Sequence, residues 1–298
     1  MNMQYYNQDT YIYLNGDFVK ASEAGADLFG QSLHYGYGAF EGLRAYNTHH
    51  GIRIFKAEEH FDRLQQSCEA IHLPYTWSTQ QLMDATYELL EKNNLRAAYI
   101  RPLVFSGPNM HLTAATTANI MIAAWEWGPY LGQNLLRVCT STVERPNPKS
   151  FPVEAKVSGQ YVNAILASNE AIKRGFDEAL LLDQDGFVAQ ASSENLFIEK
   201  DFKLYTPPLD QVFPGITRQT VIELCKELHI DVVEKKLSIQ DVLEADSAFL
   251  SGTASEIIGI KEVNGVTYKE DWEHTIGASI QRKYKKLVLE EENYEVII

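Results

Sequence analysis

Apolar and polar residues alternate through residues 11 to 19, YIYLNGDFV, on either side of Asn15-Gly16. Alternation around an Asn-Gly pair predicts a two-stranded hairpin, because both residues accept the positive φ that its tight turn requires. A second hairpin is predicted where LRAY (43 to 46) and IRIFK (52 to 56) flank NTHHG. The spacing then lengthens to three and four residues, which predicts helices over 57 to 72 and 79 to 93. Phe61, Leu64, Cys68 and Ile71 form the apolar face of the first helix, and Arg63 lies well off that face, as a solvent arginine would. AYIRPLVF (98 to 105) and IMIAAWEW (120 to 127) return to strand character. A mostly antiparallel sheet with two helices on one side follows, an α+β arrangement. Gly128-Pro129 and the polar GQN at 132 to 134 interrupt the pattern and read as a link, so residues 1–131 make a smaller N-terminal domain and residues 132–298 a larger one.

The second domain opens on LRVCTSTV (136 to 143). A helix is predicted from 160 to 174, stopped by Gly175, followed by strands EALLLD (178 to 183), FVAQ (187 to 190) and NLFIEK (195 to 200) with QDG and KDF as turns. Pro214-Gly215-Ile216-Thr217 leads directly into another helix. Free backbone N–H groups at such a start form an anion site, although an ordinary capped helix begins in the same way. SGTASEI (251 to 257) supplies a second small-residue turn after the strand SAFL. HYGYGAFEG (34 to 42) is not a dinucleotide fingerprint, since its spacing is GxGxxxG and it opens a strand rather than a helix.

At 298 residues and a formal net charge of -14, the chain has room for two domains and lacks the clustered basic charge that nucleic acid or anionic membrane would need. No run approaches membrane-spanning length, and the acidic first thirty residues contain no signal-peptide core. Cys68, Cys139 and Cys225 are far apart, which argues against disulfides and for a reduced, cytoplasmic setting. The histidines show no metal-ligand spacing, so no metal is expected. Lys156 changes the picture. It follows Val153 and Ala155 and precedes Val157, at what reads as the end of a short strand, with Ser158-Gly159 opening a turn. Burial there would favour a neutral amine able to form a Schiff base with a carbonyl cofactor. The alternative is an edge-strand lysine whose head reaches water.

Taken together and in order, HYGYGAFEGLRAY, EEHFDRL, AYIRPLVF, AKVSGQYVNAILASNEA, ENLF, PGITRQ and SGTASEI resemble the branched-chain amino acid aminotransferases. These are pyridoxal 5'-phosphate enzymes of fold type IV, the D-amino acid aminotransferase-like fold. The likeness runs from about residue 11 to 285. It implies two α+β domains with the cofactor in the interdomain cleft, and a homodimer whose partner helps close each pocket. It also implies transamination between leucine, isoleucine or valine and 2-oxoglutarate.

Carried over by position, Lys156 is implied to be the Schiff-base lysine and proton shuttle, Tyr161 the hydroxyl on the ring oxygen, and Arg63 the phosphate partner. Ile216, Thr217 and Thr253 complete the phosphate cup. Phe40, Tyr99, Trp127 and Tyr130 match the aromatic wall for an aliphatic side chain, with Tyr35, Thr253 and Ala254 also against substrate. Arg101 matches the residue that receives the distal carboxylate of glutamate. The position expected for the glutamate facing the pyridine nitrogen holds Gln190, with Glu194 as the alternative, and spacing does not decide between them. Residues 107 to 117 lack the expected glycine-rich pattern, and Glu126 stands where a proline is expected. The rival readings are an aminodeoxychorismate lyase or D-amino acid aminotransferase on the same fold, or a cofactor-binding chain of low activity. The absence of lysine and arginine from Pro102 to Met110 speaks against the D-amino acid enzyme.

Overall fold

In the computed structural model, which describes residues 5–128, 130–132 and 134–291, Asn15 (φ 53°) and Gly16 (φ 111°) join β1 (Tyr11–Leu14) to β2 (Asp17–Lys20) as an antiparallel hairpin. Pro129 and Gln133 of the expected link lie outside the described residues. By their contacts the residues fall into two units, one of 1–128 with 155–160, the other of 129–154 with 161–298. The segment around Lys156, expected with the second domain, therefore groups with the first.

The first unit is built on a seven-stranded antiparallel sheet. After the short helix α1 (Gln31–Tyr35) come β3 (Gly38–Phe40), β4 (Leu43–Thr48) and β5 (Gly51–Ile54). Helices α2 (Ala57–Ala70) and α3 (Thr79–Lys92) follow, then the long strands β6 (Ala98–Ser106) and β7 (Ala118–Trp125). A Ser78/Gln81 capping box starts α3. Alternation along the strands sends Ile100, Val104, Ile120, Ile122 and Ala124 into a core shared with Phe61, Leu64, Leu82 and Leu89. The stretch 34 to 42 is not one lead-in to a strand. Gly36, at φ 67°, ends α1, and β3 pairs with β6 before β4 does. The register runs unbroken from Phe40↔Leu103 to Leu43↔Ile100 and so sets Glu41 opposite Pro102, which has no N–H to give.

The second unit carries a nine-stranded mixed sheet, ordered β10-β9-β8-β15-β14-β11-β12-β13 with β16 on β15. Its strands are β8 (Leu136–Thr140), β9 (Glu178–Leu182), β10 (Val188–Ala191), β11 (Asn195–Lys200), β12 (Lys203–Thr206), β13 (Val232–Glu234), β14 (Ser247–Gly252), β15 (Glu256–Val263) and β16 (Val266–Thr267). Its helices are α4 (Tyr161–Lys173), α5 (Ile216–Glu227), α6 (Ile239–Leu243) and α7 (Ile276–Leu289). Val138, Leu180, Leu196, Leu250 and Ile260 lie at 0 to 3% exposure in its core. Among the described residues no helix is long and apolar enough to cross a membrane. Cys68, Cys139 and Cys225 are all buried and free.

Lys156 departs from its expected place at the end of a strand. Only Val157 pairs, as an isolated antiparallel bridge to Ala39, and a 3-10 turn at Ser158–Gln160 follows. The Lys156 carbonyl accepts from Phe40 N–H (3.0 Å), its N–H donates to Ser67 Oγ (3.0 Å), and Gly159 N–H donates to the Gly36 carbonyl (2.9 Å). A Cβ on Gly36 would come within 2.5 Å of Gly159 Cα, so a side chain there would push the segment away.

Candidate active site

Alternation through Ala39, Phe40, Glu41, Gly42 and Leu43 turns Ala39, Glu41 and Leu43 toward the helices. A carboxylate sent into a core needs partners, and α2 supplies them. His60, Arg63 and Ser67 lie three and four residues apart, on a stripe beside the apolar face of α2, and are 1%, 9% and 1% exposed. Arg63 is thus buried rather than solvent-facing. Its Nε donates to Glu41 Oε1 (2.7 Å) and its Nη2 to Oε2 (2.9 Å), while His60 Nδ1 lies 2.8 Å from Oε2. Burial alone would raise the Glu41 pKa, but the Arg63 charge and the His60 hydrogen bond outweigh it and hold the carboxyl well below its usual range. Burial pushes His60 down, helped by the charges of Arg63 and Lys156 against the pull of Glu41. Nδ1 of a neutral His60 therefore donates to an ionised Glu41. Ser67, one turn further along α2, is the residue that holds the Lys156 N–H. The polar stripe at 60, 63 and 67 is present in the sequence, but apolar periodicity does not report it.

The opposite face of this sheet carries Phe40, Tyr99 and Arg101. The Arg101 guanidinium carbon lies 4.6 Å from the Phe40 ring centroid and 5.3 Å from that of Tyr99, and Nη2 donates to the Tyr99 hydroxyl (3.0 Å). Arg101 Nε is buried without a hydrogen-bond partner among the described residues. Trp127 meets Tyr99 edge-on at 4.7 Å, and Arg44 donates to its carbonyl (3.3 Å). Lys156 is half-buried, and its Nζ is 5.1 Å from the Phe40 centroid. Four of the expected residues, Phe40, Tyr99, Arg101 and Trp127, are thus brought together with Lys156. Tyr35 is not among them: it ends α1, is 48% exposed and donates to the Met110 carbonyl (3.3 Å). The same 107 to 117 loop is held by Gln31, whose Nε2 donates to the carbonyls of His111 (2.6 Å) and Thr113 (2.8 Å).

In the second unit a polar cluster forms where β11 begins and β14 ends. Glu194, 2% exposed, accepts from Ser193 N–H (3.2 Å) and Oγ (2.7 Å), and a Cβ on Gly252 would lie 3.0 Å from its Cγ. Thr253 and Ala254 sit half-buried in the turn between β14 and β15, flanked by Ser251 and Ser255, whose hydroxyls are buried without a partner among the described residues. Gly215 precedes α5 with no side-chain cap, so Ile216 and Thr217 present the uncapped first turn of that helix. Gly215 has no room for a side chain, because a Cβ would meet Asn195 Oδ1 at 2.2 Å. Gln190, 3% exposed, points elsewhere. Its Oε1 accepts from Phe213 N–H (2.8 Å) and its Nε2 donates to the Ala191 carbonyl (3.2 Å), while Asn195 Nδ2 donates to the Phe213 carbonyl (2.9 Å). Two amides thus grip the backbone that delivers α5. Tyr161 is the first residue of α4, and Tyr130 is 42% exposed. Arg145, which no sequence motif marks, lies near Tyr161; burial pulls its pKa down to about 10 against the opposing Tyr161 phenol, and its Nε and Nη2 have no partner among the described residues.

The uncapped helix start, the orphaned serine hydroxyls and the buried carboxylate suit a phosphorylated, ring-nitrogen cofactor. Comparison with known proteins points the same way. The family "Amino-transferase class IV" matches residues 38–263. The branched-chain-amino-acid aminotransferase of Escherichia coli (strain K12) is 38% identical over 268 residues, which cover 87% of each chain. The crystal structure of the branched-chain aminotransferase from Thermoproteus uzoniensis with norvaline superposes with a TM-score of 0.92 at 35% identity, covering 95% of this chain and 96% of that one. The Escherichia coli branched-chain amino acid aminotransferase does so at 0.91 and 35%, covering 97% of each. A further branched-chain amino acid aminotransferase, complexed with N-(5'-phosphopyridoxyl)-L-glutamate, reaches 0.90 at 34%, covering 96% of each. By these matches the chain belongs to the class IV aminotransferases, pyridoxal-phosphate enzymes of fold type IV, alongside the branched-chain-amino-acid aminotransferases.

Proposed function

We propose that this chain transfers an amino group between leucine, isoleucine or valine and 2-oxoglutarate. The observation that carries the reading is Arg101, a guanidinium seated on the rings of Phe40 and Tyr99 with a buried Nε that no described residue satisfies. One pocket must accept an aliphatic side chain in one half-reaction and a carboxylate-bearing one in the other. An apolar aromatic enclosure with one cation at its edge serves both. The phosphopyridoxyl-glutamate adduct carried by one of the solved relatives supports glutamate as one of the two substrates. The names of the matched relatives favour this activity over the lyase and the D-amino acid enzyme.

Pyridoxal phosphate supplies a carbonyl that exchanges for the amino group and a ring that takes up electrons. Lys156 would hold it covalently and, once displaced by the substrate amine, would carry the proton from the substrate Cα to the cofactor's carbonyl carbon. Arg63, the first turn of α5 at Ile216 and Thr217, and Thr253 bind the phosphate, and Tyr161 donates to the ring hydroxyl oxygen. Glu194 is the carboxylate at the ring nitrogen, because Gln190 is committed to the backbone of Phe213 and Ala191. Tyr130 and Ala254 complete the substrate contacts, whereas Tyr35, exposed and bonded to the Met110 carbonyl, would join them only from the partner of a homodimer.

A homodimer is part of the reading, supported by apolar side chains left exposed in each unit. On α4, Val162, Ile165, Leu166 and Ile172 are 54 to 65% exposed at helical spacing, and in the first unit Leu28, Phe29, Leu33 and Leu112 are 65 to 87% exposed. A reducing cytoplasm suits the three free cysteines.

Five outcomes are expected. Borohydride reduction fixes the cofactor covalently to the wild-type chain and not to Lys156→Ala, whose circular dichroism is unchanged; fixation in the variant would assign the amine elsewhere. Arg101→Ala loses about 1.5 to 3 kcal/mol of transition-state stabilisation in the glutamate half-reaction and far less with leucine. Equal losses would make Arg101 a holder of the shared α-carboxylate. Single-turnover rates with leucine fall by about 100-fold or more in Glu194→Gln. Gln190→Glu gives no acceleration and melts lower, since it removes the donor to the Ala191 carbonyl; a faster Gln190→Glu beside an unaffected Glu194→Gln would return the ring nitrogen to Gln190. In sedimentation velocity the protein runs as a dimer, and a monomer at micromolar concentration would remove that part of the reading.

A further inference from the structure

Arg63 is a buried cation whose Nε–Nη2 edge is already occupied by Glu41. We propose that Glu41 is a positioning residue for the cofactor phosphate: it clamps the Arg63 guanidinium in one plane, so that an incoming phosphate meets a group already oriented. This rests on the reading of Arg63 as the phosphate partner.

The geometry favours orientation over simple charge balance. A carboxylate that only neutralised Arg63 would need one contact, whereas Glu41 makes two parallel bonds of 2.7 and 2.9 Å, the fork that fixes a guanidinium against rotation. The carboxylate is fixed in its turn. Its backbone N–H donates to the Pro102 carbonyl (2.9 Å), and Oε2 also accepts from Gly42 N–H (3.2 Å) and from His60. His60, kept neutral by its surroundings, adds a hydrogen bond without adding a second cation. The same helix holds Lys156 through Ser67, so the clamp and the lysine share one rigid support.

The two roles predict opposite signs. Removing a negative charge from beside Arg63 should strengthen phosphate binding if Glu41 only balances charge, and weaken it if Glu41 orients. A glutamine can accept from only one of the two N–H groups and turns its own NH₂ toward the other. An aspartate keeps the charge but is one methylene too short to fork. The test titrates full-length protein freed of cofactor with pyridoxal 5'-phosphate and, separately, with pyridoxal, which lacks the phosphate. In both Glu41→Gln and Glu41→Asp the Kd for pyridoxal 5'-phosphate should rise about 10- to 100-fold, the range seen when a partner that orients a ligating group is lost, with pyridoxal little changed. Tighter or unchanged phosphate binding, or equal weakening of both ligands, would overturn the proposal. If Glu41→Gln does not fold, Glu41→Asp decides alone. Arg63→Ala separates the two ideas: if it weakens both ligands equally, the phosphate role of Arg63 fails; if it selectively weakens the phosphorylated one while the Glu41 variants do not, only the clamp fails.

Discussion

Burying a carboxylate costs several kcal/mol unless other groups take over the work of water, and Glu41 is buried completely. The alternation of β3 and β4 forces it toward α2, and α2 answers with Arg63 and His60 on one stripe. Because each member is buried, none can be removed without leaving another unpaired, which ties the sheet to the helix more specifically than the apolar contacts around it. Ser67 continues that stripe and fixes the Lys156 backbone. The placement of Lys156 thus depends on a helix that the charge cluster ties to the sheet.

Arg63 and Arg101 show two ways to keep a guanidinium in a protein. Arg63 on the helix side has a carboxylate on one edge. Arg101 on the other face lies against aromatic rings, with the Tyr99 phenol accepting from Nη2 and an Nε left over. Aromatic faces stabilise a cation without consuming its donors. The first arrangement holds a guanidinium in one orientation, and the second leaves a donor of Arg101 available, which is what the proposed reading requires of it.

Much of this is legible in the chain. The Asn15-Gly16 hairpin, the two helices of the first unit and the strands around 98 to 125 follow from period and turn chemistry, which are local. What is not legible is long-range. Lys156 lies in an irregular segment because its partners, Ala39, Phe40 and Ser67, are about ninety to more than a hundred residues away, and no local pattern reports them. A helical wheel marks Arg63 as exposed because it counts apolar positions only; a buried polar stripe looks the same as a wet one until its acceptor, Glu41, is known. Motif position leaves Gln190 and Glu194 open as partners of the ring because it carries no side-chain direction, and the bonds of Gln190 to the Phe213 N–H and the Ala191 carbonyl appear only in the fold.

The six residues 155–160 pack with the first unit although the chain on both sides of them belongs to the second. The units are therefore joined by three covalent crossings. A gene fragment ending at residue 128 would encode a first unit missing the bridge to Ala39 and the carbonyl that accepts from Phe40. Such a unit could not be shuffled into another protein as one contiguous exon-like piece, nor could the second be inherited without a stretch it does not itself use. Recombination between relatives is therefore expected to keep the two halves together, and the lysine at the crossing is inherited with both.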